Sequence, residues 1–418
     1  MTLKDALTLV EICAGAGGQA LGLHQAGFEH VLAVELDETA AATLRANRGW
    51  EVAVGDVADE STWNPDEFTG VTLLAGGVPC PPFSVAGKQL GSSDERDLFA
   101  WAVELAGRMR PRVLMLENVR GLSAPRFSGY RQRVLDRLAE LGYIGQWRLL
   151  HAADFGVPQL RPRFILVAMR PEDAVYFRWP EPLAERVTVG EAIRDLMAER
   201  GWPHADEWAA MADGVGPTLV GGSKKHGGAD LGPTRARKGW AALGVDGRGV
   251  ADAAPGPDSP APSDVPPRLT IDMIARIQGW KPEDEWHFEG RKTSQYRQIG
   301  NAFPPPVARA LGLAIKSALA HEGVPREIDG GDAIHDPVYR ALASSQNYVS
   351  IEELVRAYNA SSRAEVERRL AALRQDFELE SIETSEGPAY RLGEFKGFVG
   401  QRDHARVEYF DRYRNLVS

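Results

Sequence analysis

The segment TLVEICAGAGGQALGL, residues 8–23, decides the fold class. Its apolar start predicts a buried β-strand, and the glycine-rich turn that follows opens a predicted helix. Glu35 lies about twenty residues beyond the first glycine, at the end of a second apolar run. Glycines let the backbone approach a ligand closely, and such an acid can bind both hydroxyls of a ribose. On these residues a dinucleotide and S-adenosylmethionine are close rivals as ligands, and a purely structural glycine turn is a third alternative.

Apolar runs alternate with amphipathic stretches up to about residue 170. Short apolar runs predict strands, and stretches with helical spacing and acidic starts predict the helices between them. The predicted strands include residues 8–12, 31–36, 71–77, 112–119 and 163–169, and the clearest predicted helices are residues 37–48 and 94–109. We therefore expect an α/β fold with a Rossmann-like, doubly wound parallel sheet that binds ligands beyond the carboxyl ends of its strands.

The α/β pattern stops near residue 179 and returns near residue 268. Residues 180–267 are rich in Gly, Pro and Trp with little periodicity, which predicts a small irregular domain. We expect residues 1–179 to form the first part of the main domain and residues 268–320 to complete it. A polar connector, residues 321–345, then leads to residues 346–418, where the order helix, helix, strand, strand predicts an α+β, winged-helix-like extension.

Composition limits the class of protein. The chain has 418 residues and a net charge of -10 at pH 7, which argues against a uniformly basic nucleic-acid binder but leaves room for a local basic face. No apolar stretch is long enough to span a bilayer and the first residues lack a signal-peptide pattern, so we expect a cytoplasmic protein. The two cysteines, Cys13 and Cys80, cannot form a disulfide framework, and no Cys/His cluster has zinc-ligand spacing.

Cys80 lies in the segment AGGVPCPPFSVAGKQLG, residues 75–91, directly after a predicted strand. The flanking prolines Pro79, Pro81 and Pro82 fix φ and remove backbone donors, which predicts a rigid turn. Most cysteines are inert core residues, but a proline-held thiol at the ligand edge of a sheet favours a nucleophile.

Other polar residues are expected at the same edge. Glu117 ends the next apolar strand. Burying an acid there costs folding free energy, so we expect it to take part in the chemistry or to be paired. Gln159, Arg161 and Arg163 occupy alternate positions of an extended segment and so share one face, which favours an electron-rich, oxygen-bearing substrate; an edge strand with solvated arginines is the alternative. Asp56 lies in VAVGDV, residues 52–57, directly after a further short predicted strand, where it either accepts from an adenine amino group or caps a turn.

These motifs resemble those of the bacterial cytosine-C5 methyltransferases that modify DNA. The resemblance covers roughly residues 8–320, and the motifs occur in the family's order. They read AGAGG, VELD, GDV, GGVPCPPFS, LENVRG, QLRPR, RLT with IQGW, and QYRQIGNAFPPPVA.

The resemblance implies a covalent mechanism. Cys80 matches the cysteine that adds to C6 of cytosine, and Glu117 matches the acid that protonates N3 during this attack. Arg161 and Arg163 match the pair that binds the base and its surroundings, one of them reaching O2. C5 then attacks the sulfonium methyl of S-adenosylmethionine, leaving S-adenosylhomocysteine, and β-elimination releases the cysteine.

The resemblance also implies a cofactor site. Gly15, Gly17 and Gly18 match the residues along the methionine part of S-adenosylmethionine, Glu35 the ribose ligand and Asp56 the adenine ligand. Pro79 matches a residue beside the adenosine, and Asn301 completes the pocket from the far end of the chain. Cys13 stands where the family usually has a phenylalanine that stacks on the adenine, so we expect weaker stacking or a stacking group supplied from elsewhere in the chain.

The target base must leave the duplex, because C6 and the methyl donor approach opposite faces of a ring that is stacked on both sides. We expect the loop after Cys80 to close over it, with Ala86 where several relatives have a polar residue. Residues 180–267 correspond to the family's target-recognition region, and Thr218 and Leu219 resemble a Thr-Leu pair often found there. The predicted DNA contacts are Ser84, Lys88, Gln89, Arg96, Gln159, Thr218, Leu219, Lys224, Lys225, Arg235 and Arg237.

Three functions are therefore open. The first is a nucleoid-associated DNA cytosine-C5 methyltransferase of a restriction-modification or other defence system, with double-stranded DNA and a cognate restriction endonuclease or other defence protein as partners. The second is a transfer-RNA methyltransferase with the same catalytic core. The third is an inactive DNA-binding or regulatory relative, against which Cys80, Glu117 and the two arginines are all present. For the C-terminal extension, DNA contact, dimerisation, partner docking and simple packing on the core are all open.

Overall fold

The computed structural model describes residues 6–79, 98–221, 229–327, 336–358, 362–385 and 387–395. Within these ranges, no helix is both long enough and apolar enough to span a membrane. The central strands are β1 (Thr8–Ile12), β2 (Glu29–Glu35), β3 (Val52–Val54), β4 (Leu73–Gly76), β5 (Val113–Val119), β6 (Ile144–His151) and β7 (Pro162–Met169).

The central strands form one seven-stranded sheet in the order β3-β2-β1-β4-β5-β7-β6. Strands β1 to β5 pair in parallel, whereas β7 runs antiparallel to both β5 and β6. The predicted Rossmann-like α/β fold is confirmed, with an antiparallel pair at one end. The prediction does not include β6, because this edge strand is half-buried and polar residues such as Gln146 and Arg148 interrupt its apolar run.

Helices cover both faces of the sheet. Alternate residues of a strand point to opposite faces, so Val10 and Leu114 join one apolar core while Leu9 and Val113 join the other. Before residue 180 lie α1 (Gly18–Gln25), α2 (Glu38–Asn47), α3 (Leu98–Met109), α4 (Ser128–Glu140) and α5 (Pro171–Ala174). Between residues 268 and 320 lie α9 (Ile271–Gln278), α10 (Lys292–Asn301) and α11 (Pro305–Leu319). Ile274 of α9 and Ile299 of α10 belong to a third apolar core, which includes Val189 and Trp240.

The chain returns to the sheet through α11, which packs closely on α1. A Cβ atom built at Gly22 would lie 2.3 Å from the carbonyl oxygen of Pro305, so only glycine allows this approach. The return segment therefore sits directly beside the glycine turn that opens α1.

Residues 180–267 are more regular than their composition predicts. They contain α6 (Val189–Ala198), α7 (Ala205–Met211) and α8 (Thr234–Ala242). The first of these helices begins with a capping box, in which the Thr188 side chain accepts from the Glu191 backbone and the Glu191 side chain accepts in return. Trp208 and Trp240 are fully buried, so large aromatic side chains provide the core that the weak periodicity does not reveal.

The described part of the C-terminal extension contains α12 (Pro337–Ala343), α13 (Ile351–Tyr358) and α14 (Arg363–Asp376) with strands β8 (Val349–Ser350), β9 (Phe377–Thr384) and β10 (Gly387–Phe395). The strands form an antiparallel sheet in the order β8-β10-β9. The expected order of two helices and two strands is present, and the winged-helix designation stays a prediction. The expected polar connector differs, because α12 lies within it and buries three side chains, Val338, Tyr339 and Leu342.

This extension packs on α4 and shares an apolar core with the central sheet. The rings of Tyr130 on α4 and Phe395 on β10 lie 5.6 Å apart. The buried Asp336 carboxylate accepts from the Ser128 hydroxyl at 2.8 Å, and the Arg369 guanidinium donates to the same hydroxyl oxygen at 2.7 Å. The described residues between 336 and 395 therefore pack as part of the main fold.

Candidate active site

A cavity opens at the carboxyl edge of the sheet, where β1, β2 and β5 end. Gly15 and Glu35 from the first two strands, Glu117 from β5 and Asn301 from the end of α10 all line it. Four of the predicted cofactor residues, Cys13, Gly15, Glu35 and Asn301, thus share one cavity with the predicted catalytic acid. Its lining residues are Glu11, Cys13, Ala14, Gly15, Ala16, Gln19, Glu35, Asp37, Ala40, Gly77, Glu117, Arg297, Gln298, Asn301, Ala302 and Phe303.

Glu35 ties the glycine turn to the end of β2. Its Oε2 accepts from the Gly15 backbone N–H at 2.7 Å, and its Oε1 accepts from the Asp37 backbone N–H at 2.8 Å. Burial raises the pKa of Glu35, and the two backbone donors oppose this rise. Because a carboxylate offers about four acceptor positions, the group can still accept from a ligand in the cavity.

The three glycines of the turn have different surroundings. Gly15 adopts a positive φ of 57°, and a Cβ atom there would meet nothing within 4 Å. A Cβ atom at Gly17 would lie 2.5 Å from the Trp286 ring, and one at Gly18 would lie 2.2 Å from the Phe303 carbonyl oxygen. Gly15 therefore leaves the cavity open, whereas Gly17 and Gly18 let other segments pack closely.

The remaining predicted cofactor residues are more scattered. Cys13 lines the cavity and has a positive φ of 51°. Asp56 is not among the lining residues; its carboxylate accepts from the Ala58 backbone N–H at 2.9 Å, as a turn-capping acid does. Pro79 is half-buried and is the last described residue before Cys80.

Glu117 and Arg163 form an ion pair at the cavity. The Arg163 Nε lies 2.6 Å from the Glu117 Oε1, and each side chain is 13% exposed. Burial lowers the pKa of Arg163, and the Glu117 carboxylate opposes this change. A Cβ atom at Gly77 would lie 3.4 Å from the Glu117 Oε2, so the acid reaches the chain that leads toward Cys80.

Cys80 itself lies outside the described residues, but the segment before it is held by β5. The buried Asn118 side chain donates from Nδ2 to the Val78 carbonyl oxygen at 3.1 Å. Asn118 thus fixes the backbone two residues before the predicted nucleophile. No sequence motif predicts this role for Asn118, although its place directly after Glu117 is a signal that points to it.

Arg161 and Gln159 do not share the environment of Arg163. Both are fully buried. Arg161 donates from Nη1 to the Leu219 carbonyl oxygen at 2.9 Å and from Nη2 to the Ala302 carbonyl oxygen at 2.7 Å. Because β7 begins only at Pro162, the expected strand alternation does not apply to Arg161, and its side chain points into the fold.

The predicted DNA contacts include buried residues, accessible residues and residues outside the described ranges. Leu219 is buried like Gln159, so neither side chain is available to DNA in this structure, whereas Thr218 is half-buried and Arg235 is exposed. Arg237 lies 3.5 Å from the Asp230 carboxylate. The other predicted contacts, and Ala86, lie outside the described residues; the contacts are Ser84, Lys88, Gln89, Arg96, Lys224 and Lys225.

Comparison with known proteins identifies the family. The model of the C-5 cytosine-specific DNA methylase family matches residues 7–317. The chain belongs to this family. Its resemblance to cytosine-C5 methyltransferases is thereby confirmed, and the protein is a DNA cytosine-C5 methyltransferase.

Individual methylases of this family are similar over long stretches. The type II methyltransferase M.NaeI of Lentzea aerocolonigenes is 61% identical over 416 residues, which cover 99% of this chain and 100% of that protein. The type II methyltransferase M.NgoMIV of Neisseria gonorrhoeae is 49% identical over 320 residues, which cover 75% of this chain and 99% of that protein. Almost the whole of M.NgoMIV thus aligns with about three quarters of this chain.

Solved structures show the same fold. A protein described as a prophage-encoded DNA modification methyltransferase of E. coli has a TM-score of 0.51 and 20% identity, covering 75% of this chain and 100% of that one. A mutant of DNMT2 from Spodoptera frugiperda has a TM-score of 0.52 and 16% identity, covering 74% of this chain and 100% of that one. At these identities the likeness supports the fold of the methylase core alone.

Proposed function

We propose that this methylase transfers a methyl group from S-adenosylmethionine to C5 of a cytosine flipped out of double-stranded DNA, within a restriction-modification system. The observation that carries the proposal is the ion pair of Arg163 with Glu117, since Glu117 lines the same cavity as Gly15 and Glu35. An acid and a cation meet there beside a nucleotide-binding turn and the chain that leads to Cys80.

The cavity suits S-adenosylmethionine. Gly15 leaves open space at the turn, and Glu35 presents acceptors for ribose hydroxyls next to a backbone that can approach closely. When bound, the cofactor supplies an electrophilic methyl carbon. Asn301 would close the far end of the site, and Cys13 offers a smaller surface than an aromatic ring would. Asp56 and Pro79 would lie toward the adenosine part.

The residues of this chain would then activate the cytosine. The Cys80 thiolate attacks C6 while Glu117, which enters this step as the protonated carboxylic acid, delivers its proton to N3, so negative charge does not build up on the ring. Arg163 holds the Glu117 carboxyl group in place and, through its remaining donors, binds the oxygen at C2. C5 takes the methyl group, a base removes the C5 proton, and the Cys80–C6 bond breaks as the N3 proton returns to Glu117.

The identity to type II methyltransferases supports double-stranded DNA as substrate and a cognate restriction endonuclease as partner. M.NaeI aligns with 99% of this chain, including the C-terminal extension. The extension carries both acidic and basic side chains, with Arg391 paired to Glu380 and Arg363 to Glu367. We therefore infer that the described part of the extension serves packing rather than phosphate binding.

Methyl transfer tests the proposal directly. Labelled S-adenosylmethionine is incubated with unmethylated duplex DNA and, separately, with transfer RNA. We expect label in DNA as 5-methylcytosine and none after Cys80→Ala substitution. Label in transfer RNA alone would replace DNA by RNA as the substrate. Label in neither, with the cofactor bound, would favour a regulatory relative.

A further inference from the structure

A buried polar junction lies behind the cavity, outside the groups that the proposed reaction uses. Gln159 and Arg161 are both fully buried, and so is Gln278 at the end of α9. Gln159 donates from Nε2 to the Gln278 Oε1 and to the Ile277 carbonyl oxygen. Polar side chains this deep are tolerated only when their hydrogen bonds are made, so the geometry of the junction is tightly constrained.

The junction binds both backbone groups of one residue, Leu219, in the target-recognition region. The Leu219 backbone N–H donates to the Gln159 Oε1 at 3.0 Å, and the Leu219 carbonyl oxygen accepts from Arg161 at 2.9 Å. Nearby, Leu160 N–H donates to the Gly216 carbonyl oxygen at 2.9 Å, and Gly216 N–H donates to the Pro158 carbonyl oxygen at 2.9 Å. Residues 216–219 are thus bound along residues 158–161.

The same arginine reaches the cofactor end of the cavity. Its Nη2 donates to the Ala302 carbonyl oxygen at 2.7 Å, and Gln278 donates to that oxygen as well. Ala302 follows Asn301, and both line the cavity. The backbones also touch, because a Cβ atom at Gly300 would lie 2.5 Å from the Gly221 Cα, and one at Gly221 would lie 2.2 Å from the Asn301 Oδ1.

The hydrogen bonds of Arg161 suit a residue that holds two chain segments in place. Among the described residues its Nε has no hydrogen-bond partner, and the two acceptors of its guanidinium are carbonyl oxygens of two different segments. Turning this side chain toward a base would remove its donor from the buried Leu219 carbonyl oxygen and leave the Ala302 carbonyl oxygen with Gln278, which is unfavourable in a buried site. A buried arginine that bridges two carbonyls fixes the distance between the segments that carry them.

We propose that Arg161, with Gln159, is a positioning residue that fixes the recognition segment, residues 216–221, against Asn301 and Ala302 at the cofactor pocket. This inference rests on the proposed function. It assigns Arg161 a place behind the reacting base rather than on it. Loss of the clamp leaves the chemistry of Glu117 and Arg163 intact but lets the recognition segment shift relative to the cavity.

The test compares Arg161→Gln with Arg163→Lys in the full chain. For Arg161→Gln we expect the KM for unmethylated duplex DNA to rise about tenfold or more while kcat stays within about threefold, the pattern of binding lost equally from the ground state and the transition state. For Arg163→Lys we expect the opposite split, with kcat reduced. An equal fall of kcat in both variants would place Arg161 on the base and overturn the proposal.

Hydrogen exchange tests the clamp independently of turnover. In Arg161→Gln we expect faster amide exchange both in residues 216–221 and in residues 300–303, with β1 and β5 unchanged. Exchange that rises uniformly over the chain, or a lower Tm with unchanged KM and kcat, would reduce Arg161 to a stability residue and contradict the proposal. If Arg161→Gln fails to fold, Arg161→Lys and Gln159→Met carry the same measurements.

These two measurements separate the proposals. Absent methyl transfer to DNA by the unsubstituted protein would refute the proposed function, while coupled exchange of the two segments would still show the clamp. Methyl transfer with no exchange coupling would leave the function standing and refute the clamp.

Discussion

Arg161 and Arg163 lie two residues apart in one motif, yet their environments differ in kind. Arg163 meets the Glu117 carboxylate at 2.6 Å beside the cavity, whereas Arg161 is fully buried on two carbonyl oxygens. Burial lowers the pKa of both guanidinium groups, and well below its ordinary value for Arg161. Motif spacing therefore brings both residues to the same region, while the contacts of each side chain determine what it can do there.

Removing the acid of the Arg163 pair gives the largest expected effect. Glu117→Gln keeps an oxygen that accepts from Arg163 but provides no acidic proton for N3. We expect kcat for methyl transfer to fall by about 10²–10⁴-fold, the usual contribution of a positioned acid. Single-turnover rates measure this, with S-adenosylhomocysteine affinity as the control. A rate within tenfold of the unsubstituted protein would show that Glu117 is not the proton donor.

Changing the cation of that pair is the next largest. Arg163→Lys keeps the charge but loses the planar fork that can hold Glu117 and a base oxygen together. We expect kcat to fall by about 10–100-fold; each tenfold fall corresponds to an activation barrier higher by about 1.4 kcal/mol. Steady-state kinetics beside Arg161→Gln make the comparison direct. The same kinetic pattern in both variants would remove the distinction between the two arginines.

Glu35 provides a test on the cofactor side of the cavity. Its carboxylate accepts from backbone donors and, as proposed, from ribose hydroxyls, so Glu35→Gln should weaken cofactor binding about tenfold. Because burial raises its pKa, falling pH protonates Glu35 before an ordinary glutamate. Cofactor binding should therefore weaken on acidification from a pH above the usual glutamate range. Calorimetry over pH measures this, and an unchanged pH profile in Glu35→Gln would contradict the assignment.

The smallest effect on activity is expected at the C-terminal extension. Asp336 accepts from the Tyr339 backbone N–H at 3.0 Å and from Ser128, and it is buried. Asp336→Ala should lower the free energy of unfolding by about 1–3 kcal/mol through the lost cap and the unpaired partners. Denaturant unfolding measures it, with the exposed Asp258→Ala as a matched control. A kcat that falls tenfold in the folded variant would assign the extension a part in catalysis.

Much of the fold follows from local sequence patterns. The glycine turn, the apolar runs of β1, β2, β4, β5 and β7 and the acids at their ends are local signals, and the structure places Glu35 and Glu117 on one cavity as the strand order requires. Strand β6 and helices α6 to α8 escape prediction, because a half-buried edge strand and a core of isolated tryptophans carry little periodicity.

The positions of Gly18, Arg161 and Asn118 depend on distant segments. Gly18 is required by the approach of Phe303, and Arg161 by carbonyl oxygens of Leu219 and Ala302. Those partners lie far along the chain, so no local sequence pattern predicts these contacts. The family resemblance supplies the motif, and only the packed structure separates the arginine at the cavity from the arginine behind it.

Trapping the covalent adduct tests the central claim most directly. Duplex DNA in which 5-fluorocytosine replaces cytosine is incubated with the protein and S-adenosylmethionine, since fluorine at C5 blocks the proton loss that precedes release of the cysteine. Peptide mass spectrometry then locates the attachment. We expect a methylated fluorocytosine joined to the peptide that contains Cys80, and none with Cys80→Ala. Methylation of ordinary DNA without any adduct on Cys80 would contradict it.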